Sequence, residues 1–247
     1  MITKSFSVTR EYEIKCKAFL PDNEEIDNVI IGVHGFAGDK DSSMLKKLGI
    51  ALTGSGSALI CFDFPSHGES PVGENELTID NCRKDLLAIA EFARSRYPRA
   101  KQAVFATSFG GYIALLCAPD LSGIPLVLRA PAVTMPEILL DTVLKIKRED
   151  FESRQVVECG FERKLNLPYS FFEDLTKQND PRDIPLTAPA IIIHGDLDDI
   201  VPLPHVESFA LGKDNVRLEI IEGADHRFKN RGEMEKIIEL TLEFLGI

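Results

Sequence analysis

The chain has 247 residues, of which 44% are hydrophobic, and its formal net charge is −11. A single α/β domain often reaches about 250 residues, so one large core is expected. The acidic excess argues against nucleic acid and against anionic membrane surfaces as partners, because both recruit clusters of basic side chains.

The amino-terminal residues lead directly into strand-like sequence, without the basic region and apolar core of a signal peptide. No apolar run approaches the roughly 20 residues that span a bilayer. The cysteines are odd in number and lack paired spacing, which favours small buried hydrophobes over a disulfide framework or a zinc site; they are Cys16, Cys61, Cys82, Cys117 and Cys159. The sequence therefore predicts a cytoplasmic protein without metal or cofactor.

Strand-like and helix-like segments alternate along the chain, which predicts a mostly parallel central sheet flanked by helices. The first half contains an initial strand pair (6–8 and 13–18), a strand at 29–34, a helix capped by Ser42 and a strand at 58–62. A helix is predicted from Thr78 to Tyr97, where Pro98 stops it. Further strands are predicted at 103–106, 125–129, 190–195 and 216–221, and a closing helix at about 231–245.

About 60 residues separate the strand that ends at Arg129 from the strand that starts at Ala190, which is longer than an ordinary crossover. Thr134 and Glu137 predict a capping box for a helix that carries Ile138 to Ile146, and a second helix is predicted from Ser170 to Lys177. Pattern alone does not separate core packing, the commoner role, from substrate contact for the aromatics of this stretch; these are Phe151, Phe161, Tyr169, Phe171 and Phe172.

Ser108 lies between a short apolar strand and a helix-like stretch that begins with two glycines. Ala106 and Gly110, two positions to either side, are small enough for strand and helix to meet at a sharp angle. This is the arrangement of a nucleophile elbow, in which the hydroxyl points away from the backbone at the carboxyl edge of the sheet. The pentapeptide from Ala106 to Gly110 alone is a weak motif, so the assignment of Ser108 as a nucleophile depends on residues elsewhere in the chain.

A serine nucleophile needs a base that takes its proton and a carboxylate that orients the base. The loop after the strand at 190–195 offers Asp196, Asp198 and Asp199, and the loop after the last strand offers His226. Adjacency to His226 gives Asp225 poor geometry for the orienting role. The residues by themselves leave the choice among the three aspartates open.

Together these motifs resemble the α/β-hydrolase superfamily over nearly the whole chain, and most of all the small bacterial serine esterases of the cinnamoyl (feruloyl) type. The five matching segments are His34–Gly38, Asp63–Ser70, Ala106–Gly110, His194–Pro202 and Gly223–His226. Two departures stand out. Ala106 replaces the usual glycine before the nucleophile, and Pro65-Ser66 replaces the usual Arg-Gly of the second motif.

The resemblance implies an α/β-hydrolase fold with a small cap inserted between the sixth and seventh strands. Residues 1–131 and 187–247 would form the core and residues 132–186 the cap. It implies a triad of Ser108, Asp198 and His226, with the acid placed at Asp198 by its register in the motif. The backbone N–H groups of Phe36 and Phe109 would form the oxyanion hole.

The expected activity is hydrolysis of small or aromatic carboxylic esters through an acyl-enzyme, with hydroxycinnamate esters as preferred substrates. Alternatives with the same triad are a thioesterase, a monoacylglycerol lipase and a serine aminopeptidase. A non-catalytic ligand-binding relative is a further alternative, because fold does not imply function. The expected partner is a small-molecule ester, and a homodimer is compatible with the sequence.

Overall fold

A computed structural model describes residues 1–22, 25–160 and 163–247. Within these ranges ten strands form two sheets. Eight strands build the central sheet: β1 (Ile2–Thr9), β2 (Glu13–Leu20), β3 (Asn28–Val33), β4 (Ala58–Phe62), β5 (Lys101–Thr107), β6 (Leu126–Arg129), β9 (Ala190–Gly195) and β10 (Val216–Ile221). The other two, β7 (Val156–Cys159) and β8 (Leu165–Pro168), form a separate antiparallel hairpin.

The central sheet has the order β1-β2-β4-β3-β5-β6-β9-β10. The strands from β4 to β10 in this order are parallel, whereas β2 runs antiparallel to both β1 and β4. Every residue of β4, β6 and β9 is buried, as expected for strands covered on both faces. The predicted mostly parallel sheet is confirmed.

Helices cover both faces of this sheet, as predicted. The described helices are α1 (Ser43–Gly54), α2 (Ile79–Arg96), α3 (Phe109–Leu116), α4 (Met135–Ile138), α5 (Arg148–Arg154), α6 (Tyr169–Thr176), α7 (Leu203–Ala210) and α8 (Glu233–Leu245). Buried residues of α1 and α8 pack in one apolar cluster, and those of α2 and α3 pack in another. None of the described helices combines the length and apolar character needed to cross a bilayer.

Two of the predicted helix starts are confirmed. The Ser42 hydroxyl accepts a hydrogen bond from the Leu45 amide at 3.4 Å, and the Thr78 hydroxyl accepts one from the Asn81 amide at 3.1 Å. Each satisfies one of the amide groups left without a partner at a helix start.

The predicted capping box at Thr134 is wrong. The Thr134 side chain caps no amide; its hydroxyl lies 2.5 Å from Nδ1 of His205 on α7. The helix was predicted to reach Ile146, but the α-helix ends at Ile138. A π-helical turn, Leu139–Leu144, follows it. A tertiary contact therefore takes the hydroxyl that the local pattern assigned to the helix start.

The segment between β6 and β9 contains α4, the π-helical turn, α5, the β7–β8 hairpin and α6. The hairpin was not predicted. The described aromatics of this segment are at most 4% exposed and pack on one another and on the core, as in the 5.3 Å ring contact between Phe151 and Tyr169. They are Phe151, Tyr169, Phe171 and Phe172; Phe161 lies outside the described residues.

Candidate active site

Ser108 lies on the turn between β5 and α3, with φ 51° and ψ −115°. A positive φ is uncommon for a residue other than glycine, and such local strain is typical of functional turns. Gly110 makes the turn possible, because a Cβ there would lie 2.5 Å from the carbonyl oxygen of His34. Ala106 is fully buried, so the fold accommodates the methyl group that departs from the usual glycine.

The structure brings Ser108, His226 and Asp198 together at the carboxyl ends of β5, β10 and β9. The Ser108 Oγ lies 3.1 Å from His226 Nε2, and His226 Nδ1 lies 2.7 Å from Asp198 Oδ2. A carboxylate can only accept, so Nδ1 carries the proton and Nε2 is left to accept from the serine hydroxyl. This chain of hydrogen bonds is suited to activating a hydroxyl nucleophile.

Of the three aspartates in the loop after β9, Asp198 is the one whose carboxylate contacts His226. Its Oδ1 accepts hydrogen bonds from the amides of Ile200 and Val201 at 2.9 and 2.7 Å. Burial raises the pKa of Asp198, but the hydrogen bond and charge of His226 and the Val201 amide outweigh it and hold the pKa below its ordinary value. The carboxyl group therefore stays ionised at neutral pH.

The other aspartates of the two loops make different contacts. Asp196 is exposed and accepts from the Gly223 amide at 2.6 Å, and Asp199 is also exposed. Asp225 accepts from the Arg227 amide at 2.9 Å and pairs with Lys229, so it stabilises its own turn. The geometry thus separates Asp198 from Asp196 and Asp199, which the residues alone did not.

The predicted oxyanion donors lie on two turns that pack against each other. A Cβ on Gly35 would lie 3.3 Å from Ser108 Cβ, so the turn before Phe36 closely approaches the serine. Among the described residues, the amides of Phe36 and Phe109 donate to no acceptor, whereas the Ala37 amide is taken by His67. Neither predicted donor is therefore occupied by an acceptor in the described part of the chain.

His34 and His67 are two buried imidazoles that hold this turn against the second motif. His34 Nε2 accepts from the Phe64 amide at 3.1 Å, and His67 Nε2 accepts from the Ala37 amide at 2.9 Å. Burial lowers the pKa of His34 to about 4 and that of His67 to about 3. Both rings are therefore neutral acceptors at neutral pH.

Replacing His67 with glutamine should weaken the pH dependence of stability. The unfolded chain protonates His67 near its ordinary pKa of about 6.5, whereas the folded chain keeps it neutral down to about pH 3. Between these values the unfolded state binds more protons, so the free energy of unfolding falls as the pH falls. This contributes about 2 kcal/mol between pH 7 and pH 5. Urea unfolding of the wild type and of His67→Gln at pH 7 and pH 5 measures this contribution. Equal losses of unfolding free energy in the two proteins would contradict the prediction.

A cavity of about 300 Å³ opens beside Ser108. Its described lining includes the apolar side chains of Phe36, Met44, Val143, Ile200 and Met234, together with His226, Arg129 and Arg227. The four buried aromatics of the segment between β6 and β9 are not among the lining residues. No group of three or more His, Cys, Asp or Glu side chains in the described part of the chain is placed to hold a metal ion.

Arg129 lines the cavity but was not among the predicted site residues. Its carbonyl accepts from the Ser108 amide at 2.9 Å. Its Nη2 lies 2.9 Å from the carbonyl oxygen of Arg227 and 3.4 Å from that of His226. The one available signal was a charged residue at the end of an otherwise apolar strand.

Comparison with known proteins agrees with this fold. The family model described as serine aminopeptidase, S33 (Hydrolase_4) matches residues 24–166, more than half of the chain. Palmitoyl-protein thioesterase ABHD10, mitochondrial, of Pongo abelii is 26% identical over 196 residues, covering 74% of this chain. The chain spans only 61% of the length of that relative.

Two solved structures illustrate the structural likeness. Est1E from Butyrivibrio proteoclasticus, solved with ferulic acid bound, has a TM-score of 0.86 at 22% identity, covering 98% of this chain and 100% of that one. Alpha/beta hydrolase domain-containing protein 10 from mouse has a TM-score of 0.76 at 20% identity, covering 98% of each chain. The chain belongs to the serine aminopeptidase, S33 family, within the α/β-hydrolase superfamily.

Proposed function

We propose that this chain is a serine hydrolase that cleaves carboxylic esters through an acyl-enzyme. The observation that carries the proposal is the hydrogen-bonded series Ser108–His226–Asp198, with distances of 3.1 and 2.7 Å, beside a mostly apolar cavity. The buried, ionised Asp198 would stabilise the imidazolium that forms when His226 takes a proton.

In the proposed reaction, Ser108 Oγ attacks the ester carbonyl while His226 Nε2 takes its proton. The amides of Phe36 and Phe109 stabilise the oxyanion, and the start of α3 adds its dipole at Phe109. His226 then protonates the leaving alcohol. Water repeats the sequence on the acyl-enzyme, releasing the acid and restoring the serine.

Within the ester class we propose a short or single-ring acyl group. Ligand cavities commonly measure about 300–1,000 Å³, so a cavity of about 300 Å³ favours a compact acyl group over a long chain. Hydroxycinnamate esters stay within this class, since the Phe36 ring lines the cavity and a structural relative was solved with ferulic acid. The buried aromatics of the inserted segment give them no further support.

The proposed cap, residues 132–186, contributes to the site through two kinds of contact. Val143 and Gly160 line the cavity. The Thr142 hydroxyl lies 2.9 Å from the carbonyl oxygen of Ile200, which belongs to the loop that holds Asp198. We therefore assign the cap a part in shaping the acyl cavity and in fixing the acid loop.

A thioesterase is the second candidate, because the curated relative is named a palmitoyl-protein thioesterase. An aminopeptidase, the activity in the family's name, has less support. It would bind a substrate ammonium, for which a carboxylate is the usual partner. The lining that the structure describes carries arginines and no carboxylate.

The acyl preference gives a direct test. We expect para-nitrophenyl esters to show the highest kcat/KM at short chains and to lose at least about tenfold by palmitate, because a long chain cannot be buried in the cavity. The ratio of kcat/KM for methyl ferulate to that for methyl butyrate tests the aromatic acyl group. The ratio of kcat/KM for S-phenyl thiobutyrate to that for phenyl butyrate tests thioesters. Preference for palmitate would favour the relative's substrate class, and turnover confined to amino-acyl anilides would favour the peptidase.

A further inference from the structure

Arg129 is a buried cation at the cavity that has no carboxylate partner within ion-pair distance among the described residues. The residue is 7% exposed and lines the cavity beside Ser108. Buried charges are normally paired, because removing an ion from water is costly. An arginine left in this state next to a candidate nucleophile calls for a physical explanation.

Backbone and ring contacts fix the guanidinium without neutralising it. Nη2 donates to the carbonyls of Arg227 and His226, and the group lies 4.7 Å from the centre of the Phe228 ring. Burial lowers the pKa of Arg129 to about 10, partly offset by the charges of Asp198 and Asp225. The side chain therefore remains a protonated donor at neutral pH.

Part of its donor capacity is unused. Nη1 donates to no acceptor among the residues that the structure describes and is the donor left for a ligand; Nε also lacks a partner, but its own surface is buried. The contacts of Arg129 with the His226 loop use only Nη2, so they do not account for the other donors of the guanidinium. Arginine is a common partner for carboxylates because its planar group presents several N–H donors.

We propose that Arg129 binds a carboxylate on the substrate, so that esters bearing a carboxylate at a distance from the scissile bond are the preferred class. This rests on the proposed ester hydrolysis. The cavity that Arg129 shares with Ser108 is also lined by the apolar side chains of Met44, Val143 and Ile200, which favours hydrocarbon in the rest of the substrate. The carboxylate can lie on the acyl side or on the alcohol side, and the substrate pairs below distinguish the two.

The test compares charged esters with their neutral methyl esters. On the acyl side the pair is mono-para-nitrophenyl adipate and methyl para-nitrophenyl adipate. On the alcohol side it is para-carboxyphenyl hexanoate and its methyl ester. We expect kcat/KM to favour the carboxylate at least about tenfold in one pair, the size of one charge-assisted hydrogen bond. No preference in either pair would overturn the proposal.

Variants assign the preference to Arg129. Arg129→Met should abolish it, and Arg129→Lys should retain part of it. Arg94→Met, which removes the same charge from an exposed position on α2, should leave the ratio unchanged. A purely structural role for Arg129 would lower kcat/KM for both members of a pair equally, which would also overturn the proposal.

Binding to an inert variant separates this inference from the proposed activity. Calorimetry on Ser108→Ala should show at least about tenfold tighter binding of the favoured carboxylate ester than of its methyl ester, and Ser108→Ala/Arg129→Met should bind the two alike. If the binding difference is present but the wild type turns over no ester, the proposed hydrolysis is wrong and the anion site stands. If the wild type turns over esters but the binding difference is absent, the proposed hydrolysis stands and the anion site is wrong.

Discussion

Ser108→Ala is expected to lower kcat for a short-chain ester by about six orders of magnitude, to the level that binding and the oxyanion donors supply alone. Its Oγ is the atom that lies 3.1 Å from His226 Nε2, and alanine leaves no group to acylate. The variant should also lose covalent labelling by a fluorophosphonate probe. Single-turnover kinetics and intact-protein mass spectrometry measure the two effects.

The fold should survive this change, because Ser108 is only half-buried and its backbone bonds do not use the hydroxyl. Alanine keeps the Cβ and loses only the hydroxyl, so at φ 51° it is no more strained than serine. Ser122→Ala, at an exposed loop position, is the matched control and should keep both labelling and turnover. Full labelling of Ser108→Ala would mean that another residue is the nucleophile.

The sheet and the elbow were predictable because their signals are local. Fully buried strands such as β4 and β9 appear as short apolar runs, and the turn at Ser108 requires small neighbours that the sequence displays. Caps at Ser42 and Thr78 follow from the same short-range chemistry. In each case the residues that determine the structure lie within a few positions of one another.

Features that depend on tertiary contacts were not predictable. Thr134 has the local pattern of a helix cap, yet its hydroxyl contacts His205, far along the chain. Arg129 reaches the carbonyls of a loop that follows β10. The aromatics of the inserted segment could have faced either core or substrate, and the structure places the described ones in the core. The sequence pattern does not indicate whether such a side chain faces the core or the substrate.

Asp198→Asn is expected to cost up to about ten thousandfold in kcat, the loss known for the corresponding change in a serine protease triad. The asparagine Oδ1 can still accept from the Ile200 and Val201 amides. Its Nδ2 would then face His226 Nδ1 and donate to it, which places the imidazole proton on Nε2. In that tautomer Nε2 cannot accept the proton of Ser108.

Asp196→Asn and Asp199→Asn are the matched controls, because they make the same chemical change in the same loop. Both carboxyls are exposed, and within the described part of the chain the Asp196 carboxylate accepts only from the Gly223 amide, a bond that asparagine can keep. Each should therefore change kcat by less than about tenfold, in line with the small effects of surface substitutions. If Asp196→Asn or Asp199→Asn is the inactive variant while Asp198→Asn turns over normally, the carboxylate that orients His226 has been assigned to the wrong residue. Melting temperatures of all three proteins, compared with the wild type, separate loss of orientation from loss of fold.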